Sequence, residues 1–161
     1  MELNNPVFKM VVIVAALLAL LFVAIQLSNY PLNPNSKINK IEKIKPVQIT
    51  QVDKGILPDK FPANLPTEAS AVVTNNFNAL EGDGRFNATR EFESKKTLAQ
   101  NITIYTKYLK DNGWTISNSL DQSNVKMVAG KKDNQLLQIS AALDPNNKVN
   151  VITMTLTEFA K

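Results

Sequence analysis

The residues of this chain whose types and spacing best suit chemistry are two glutamates two positions apart, Glu91 and Glu93. A pair of carboxylates can serve as general acid and general base in hydrolysis. The surrounding residues alternate between apolar and polar, which places both glutamates on the outward face of a predicted strand. A solvated sheet face explains this spacing better than an active site, so we assign no catalytic residue.

Five further acidic residues fall in predicted turns, where their oxygens could bind calcium: Glu81, Asp83, Asp121, Asp133 and Asp144. The alternating acids closed by a glutamate that define an EF-hand loop are missing, and turn chemistry accounts for these residues. The chain has no cysteine and no histidine, which excludes thiol catalysis, disulfides, Ser-His triads and histidine-ligated metals. We therefore predict no metal, no cofactor and no enzymatic activity.

Three aromatic residues lie in or just after one predicted helix: Tyr105, Tyr108 and Trp114. They could line a ligand pocket, but packing in a core is the favoured interpretation. Tyr108 lies off the main apolar stripe of the helix and is expected to be partly exposed. Tyr108 therefore joins three threonines of the last predicted strand as a candidate interaction surface, the threonines being Thr153, Thr155 and Thr157.

The longest apolar stretch runs from Met10 to Ile25 without one polar side chain, and its flanks extend it to residues 7–27. A helix of that length is about 31 Å long, which matches the hydrocarbon core of a bilayer. We predict a transmembrane signal anchor that contacts membrane lipid, preceded by a short tail at residues 1–6. A cleaved signal peptide would need an Ala-x-Ala site just after the apolar run, and none follows it. A lipoprotein signal needs a cysteine, which the chain lacks, and a pilin-type leader carries a glutamate a few residues into the apolar run, which this run does not contain.

The charges beside the anchor give conflicting indications of its orientation. The N-terminal flank carries about +1 from the amino terminus, Glu2 and Lys9, whereas the far flank carries +3 from Lys37, Lys40, Glu42, Lys43 and Lys45, which by count favours a cytoplasmic domain. Those lysines begin ten residues beyond Leu27, and anchors with such short tails usually translocate the chain on their C-terminal side. We predict a single-pass protein of the cytoplasmic membrane with its domain outside the cytoplasm.

Residues 28–66 form a tether rich in proline and lysine, because six of the eight prolines fall there. Proline removes a backbone donor, so no long helix or central strand is expected. Residues 55–66 also carry large apolar side chains, and both an ordered arm docked on the domain and a plain linker remain open interpretations. Beyond residue 61 the charge is only +1, from eleven basic and ten acidic residues, so no nucleic-acid partner is predicted.

The remaining residues, 68–161, predict one small domain with the element order β-β-α-β-β-β-β. A stripe of Leu98, Ile102, Tyr105 and Leu109 predicts a helix over residues 95–112, with Ser94 as its N-cap and Gly113 just after its end. Short turns between the later strands indicate antiparallel neighbours, so we predict a two-layer α+β fold with one helix on one face of the sheet. The strands are predicted over residues 71–80, 85–93, 114–120, 125–131, 135–143 and 149–158.

One pattern in this domain is similar to that of a known group of proteins. It consists of Phe92, Tyr105, Tyr108-Leu109 and Gly113-Trp114, followed by a strand that bears lysine and a threonine-rich last strand. The pattern resembles small bacterial envelope proteins of unknown function that carry an N-terminal membrane or lipid anchor. The likeness covers roughly residues 56–158 and implies an envelope location and an α+β domain, with no active site.

The sequence as a whole therefore predicts a non-enzymatic envelope protein that binds an unknown envelope protein or polymer. The expected contact surfaces are the threonine-rich sheet face and the last strand, if that strand is an edge. Two alternatives remain open. One is a small-ligand sensor or weak hydrolase that uses Glu91 and Glu93, and the other is a subunit of a pilus or secretion apparatus.

Overall fold

The computed structural model describes residues 46–160. In this part of the chain, seven strands form one antiparallel sheet, and one helix packs on it, which makes the fold α+β as predicted. The predicted anchor at residues 7–27 lies outside the described residues. Within residues 46–160, no helix is long and apolar enough to cross a membrane.

The elements are β1 Gln48–Gln51, β2 Val72–Leu80, β3 Phe86–Ser94, α1 Leu98–Asp111, β4 Thr115–Asp121, β5 Val125–Lys132, β6 Gln135–Leu143 and β7 Asn150–Glu158. The sheet has the spatial order β1-β2-β3-β7-β6-β5-β4, and every neighbouring pair is antiparallel. The last strand, β7, is thus the middle strand, paired with β3 on one side and β6 on the other. The expectation that the last strand could be an edge is therefore wrong.

The core lies on one face of the sheet, which we call the inner face. Strand β7 shows why, because its apolar residues alternate with threonines and a strand directs successive side chains to opposite faces. Ile152, Met154 and Leu156 are fully buried on the inner face. The threonines between them point to the opposite side, as predicted, and are only half-buried.

The helix begins one turn later than the sequence pattern predicted. Its N-cap is Thr97 instead of Ser94: the Thr97 hydroxyl accepts from the Gln100 N–H at 3.2 Å, and the Gln100 side chain accepts from the Thr97 N–H at 2.9 Å. This reciprocal pair is a capping box, which satisfies two N–H groups that the first turn leaves free. Ser94 ends β3, and its hydroxyl donates to Glu68 and also bonds to the side chain of Asn101.

The end of the helix follows the prediction. Gly113 adopts a φ of 76°, a conformation that a side chain disfavours, and the Trp114 N–H donates to the Leu109 carbonyl at 2.9 Å. The Gly113 N–H donates to the Lys110 carbonyl, which completes a Schellman motif. The motif turns Trp114 back beneath the helix, where it is buried in the core.

The helix contacts β4, β5 and β6, and a different segment packs on the other half of the inner face. That segment is residues 52–66, which we call the arm. Phe61 and Leu65 of the arm are buried in the same core as the helix. The arm follows β1, an edge strand that was not predicted because it is only four residues long, exposed along its length and set in a proline-rich segment.

Candidate interaction surface

The face of the sheet away from the helix, which we call the outer face, carries the best candidate for a functional surface. Among the described residues, the buried core cluster lies entirely on the inner side of the sheet. The strand registers fix which side chains share the outer face, since paired residues point to the same side. On the three central strands β3, β7 and β6 these are Asn87, Thr89, Glu91, Glu93, Val151, Thr153, Thr155, Thr157, Leu136, Gln138, Ser140 and Ala142.

The three threonines predicted as a surface are brought together on β7 and each bonds to β3. The hydroxyl of Thr153 donates to Glu91 at 3.3 Å, that of Thr155 lies 3.4 Å from the Thr89 hydroxyl, and that of Thr157 donates to Asn87 at 2.7 Å. These bonds form a ladder along the middle of the sheet. The ladder holds the side chains in fixed positions before any partner binds.

Glu91 is part of this ladder and is only 7% exposed. The alternation of β3 predicted a solvated face for Glu91; it does lie on the outer face, but its neighbours bury it. One carboxylate oxygen accepts from Thr74 at 2.8 Å and from Asn75 at 2.9 Å, and the other accepts from Thr153. Both oxygens of the Glu91 carboxylate therefore accept hydrogen bonds from neutral donors, and these bonds connect β3 to β2 and β7. This arrangement gives Glu91 a structural role in the sheet.

Tyr108, the fourth residue of the predicted surface, lies in the other layer of the domain. It is 6% exposed, and its hydroxyl donates to the Asn64 side chain of the arm at 3.0 Å. The expectation that it is partly exposed is wrong, because the arm covers it. Burial raises the pKa of Tyr108 and, more strongly, that of Tyr105, whose hydroxyl donates to the Pro66 carbonyl at 3.1 Å.

A partly buried polar cluster formed by Asn76 and Arg90 holds the arm on the inner face, and no sequence motif had indicated a role for these residues. The Asn76 amide donates to the carbonyls of Asp53 at 2.6 Å and Ile56 at 2.9 Å. Arg90 donates to the Ile56 carbonyl at 3.0 Å and to the Lys54 carbonyl at 3.1 Å. Burial lowers the pKa of the Arg90 guanidinium. The sequence did contain one signal for this cluster, because Arg90 is a charged residue at a position where the alternation of β3 directs side chains inward.

The two edges of the sheet are both poor sites for pairing with another strand. Strand β1 has four residues and begins two positions after Pro46, which cannot donate to a ladder. Strand β4 is longer, but its register shifts between Ile116 and Asn118, and such a bulge interrupts regular pairing. A partner is therefore better accommodated on the outer face than along an edge.

The turn acids engage in local bonds that shape the turns. Asp83 accepts from Arg85, Asp121 pairs with Lys126, and Asp144 accepts from the backbone of Asn146. Within residues 46–160, no group of three acidic side chains is arranged to hold a metal ion. A shallow, open depression on the surface of the helix is lined by Lys96, Ala99, Gln100, Thr103 and Ile104.

No protein-family model matches this chain. No solved structure matches it either.

Proposed function

We propose that this chain is a non-enzymatic protein of the cell envelope. Residues 7–27 hold it in the cytoplasmic membrane, and its domain lies outside the cytoplasm and binds another protein or envelope component. The outer face of the sheet is the contact surface, centred on Thr153, Thr155 and Thr157. The observation that carries this proposal is the open outer face of the sheet. Among the described residues, no side chain of the buried core cluster lies on that face.

The form of that face supports a binding role. Three strands flank β7 on each side, so the threonine ladder lies at the midline of a broad surface. Its hydroxyl and amide groups are held by cross-strand bonds, which lowers the entropic cost of ordering them on binding. Exposed apolar residues lie at its margin, with Val47 54% exposed and Ile49 62% exposed. Burial of such side chains favours association.

The carboxylates favour this role over hydrolysis. Glu91 is buried, and both of its carboxylate oxygens already accept hydrogen bonds from donors of its own chain, which leaves it poorly placed to exchange a proton with a substrate or with water. Acid–base catalysis needs a group within hydrogen-bond reach of the proton that it transfers. The pair formed by Glu91 and Glu93 is therefore better explained as part of the sheet.

The test is site-specific photo-crosslinking in intact cells. A photoreactive amino acid at position 155 lies on the outer face, and one at position 107 lies on the outside of the helix, where Lys107 is 76% exposed. We expect adducts from position 155 and none of the same mass from position 107. Equal labelling from both positions, or none from position 155, would contradict the proposal.

The proposed location is tested separately with a thiol probe. The chain has no cysteine, so Ser123→Cys, in the exposed turn between β4 and β5, provides a single reactive thiol. A membrane-impermeant maleimide should label this variant in intact cells. Protection until the cells are lysed would place the domain in the cytoplasm and overturn the envelope assignment.

A further inference from the structure

We infer that the partner of the outer face is a second copy of this chain, stacked face to face so that two sheets form a sandwich. This inference rests on the proposed function and specifies the partner of the same surface. Two aligned sheets pack about 10 Å apart with their strands at about 30° to one another. The chemistry, the area and the symmetry of the outer face all suit such a stack.

The chemistry of the outer face is self-complementary. Threonine and serine hydroxyls and glutamine amides both donate and accept hydrogen bonds, so they can pair with identical groups of another copy. A face composed of lysines or of free carboxylates would repel its own copy, whereas the charged residues on the outer face are of both signs, with Lys131 on β5 and Glu93 on β3. The acid nearest the centre is Glu91, whose carboxylate is buried and already bonded within the chain.

The area of the outer face suits a stable dimer. Seven strands spaced about 4.8 Å apart, most of them eight or nine residues long, present a face of about 800 Å². That is about the area that each partner buries in a specific protein–protein interface of standard size. The apolar margin at Val47 and Ile49, more than half exposed in the single chain, would be covered in the stack.

The position of β7 indicates the symmetry. A two-fold axis that lies about 15° from this middle strand gives the crossing of about 30° and places β3 of one copy over β6 of the other, and β2 over β5. By the strand registers, Glu93 of one copy then lies near Ala142 of the other, so that no like charges meet there.

The inference is tested with the full chain in detergent micelles. Thr155→Cys places a thiol beside the proposed axis, and Lys107→Cys is the matched control on the outside of the helix. We expect a short bis-maleimide to give at least ten times more covalent dimer with Thr155→Cys than with Lys107→Cys. Equal yields would overturn the inference, because contact through the membrane anchors alone would not favour position 155.

A charged residue at the axis gives a second measurement. Thr155→Lys brings two positive charges together in the stack, so we expect sedimentation to show at least a tenfold loss of dimer, with Lys107→Glu unchanged. An unchanged dimer with a native circular dichroism spectrum would contradict the inference. If Thr155→Lys fails to fold, the comparison of Thr155→Cys with Lys107→Cys still tests whether the dimer forms through the outer face.

The cellular photo-crosslinking separates this inference from the proposed function. An adduct from position 155 with twice the mass of the chain supports both. An adduct of another mass, with none at twice the mass, overturns the dimer and leaves the proposed binding role in place. The absence of any adduct from position 155 overturns both.

Discussion

Leu109 closes over Gly130 so tightly that a methyl group added at Gly130 would lie 3.0 Å from the Leu109 Cδ2 atom. The same methyl group would lie 3.0 Å from the Cβ atom of Trp114. Leu109 is fully buried and Trp114 nearly so, which leaves neither side chain free to move into solvent. The absence of a side chain at Gly130 therefore sets how closely the helix approaches the sheet.

The first prediction concerns this contact. Gly130→Ala is expected to lower the free energy of unfolding by about 1–3 kcal/mol, the usual cost of overpacking a core. This outweighs the gain of up to about 1 kcal/mol from a less flexible unfolded chain. Urea unfolding is the measurement, and Ser123→Ala in an exposed turn is the control, with an expected change below about 0.5 kcal/mol. Unchanged stability would mean that the helix can shift outward.

The second prediction concerns the attachment of the arm. Asn76→Ala removes the amide that binds the carbonyls of Asp53 and Ile56, and we expect a loss of about 1–3 kcal/mol because those carbonyls lose their donor. Trypsin should also cut after Lys54 faster than in the parent chain. Asn147→Ala, in an exposed turn, should leave the rate of cleavage unchanged. Unchanged cleavage in Asn76→Ala would show that the apolar contacts of Phe61 and Leu65 suffice to hold the arm.

The third prediction is a pH dependence at Glu68. The Ser94 hydroxyl donates to the carboxylate at 2.7 Å and is the main cause of the lowered pKa of Glu68, with further contributions from the Lys95 N–H and from Lys96. A carboxyl whose pKa is lower in the folded state stabilises the fold above its ordinary pKa of 4.5. That contribution declines as the pH falls below this value and is lost once the pH has passed the lowered pKa.

Glu68→Gln should accordingly reduce the free energy of unfolding at pH 7 by about 1–2 kcal/mol, and the difference from the parent chain should vanish in acid. Urea unfolding between pH 3 and pH 7 measures it. Asp111→Asn, which removes an exposed carboxylate from the helix, should change the value at pH 7 by less than about 0.5 kcal/mol. A difference for Glu68→Gln that stays constant down to pH 3 would attribute the loss to packing instead of charge.

The fourth prediction tests the start of the helix. Thr97→Ala is expected to destabilise the domain by about 1 kcal/mol, because the Gln100 N–H loses its acceptor. Thr97→Asp keeps an acceptor and adds a negative charge at the positive end of the helix, so it should retain full stability. Equal losses in both variants, measured by thermal unfolding, would show that Thr97 acts through something other than capping.

Local patterns predicted most of the secondary structure because the relevant physics is local. The alternation in β7 requires only that successive side chains point to opposite faces, and the stop at Gly113 requires only a residue that tolerates a positive φ. Ser94 was assigned as the N-cap on the same basis. That assignment was wrong because the hydroxyl of Ser94 binds Glu68, which lies 26 residues away in the chain.

The sequence by itself therefore determined the α+β class, the helix with its glycine stop and the threonines on one face of the last strand. The tertiary structure decided that this strand is the middle of the sheet, that Glu91 is buried and that the arm covers Tyr108. The physical reason is distance along the chain. Strand order and burial depend on contacts between residues far apart in sequence, such as Thr153 with Glu91 at a separation of 62 residues, and no local periodicity encodes them.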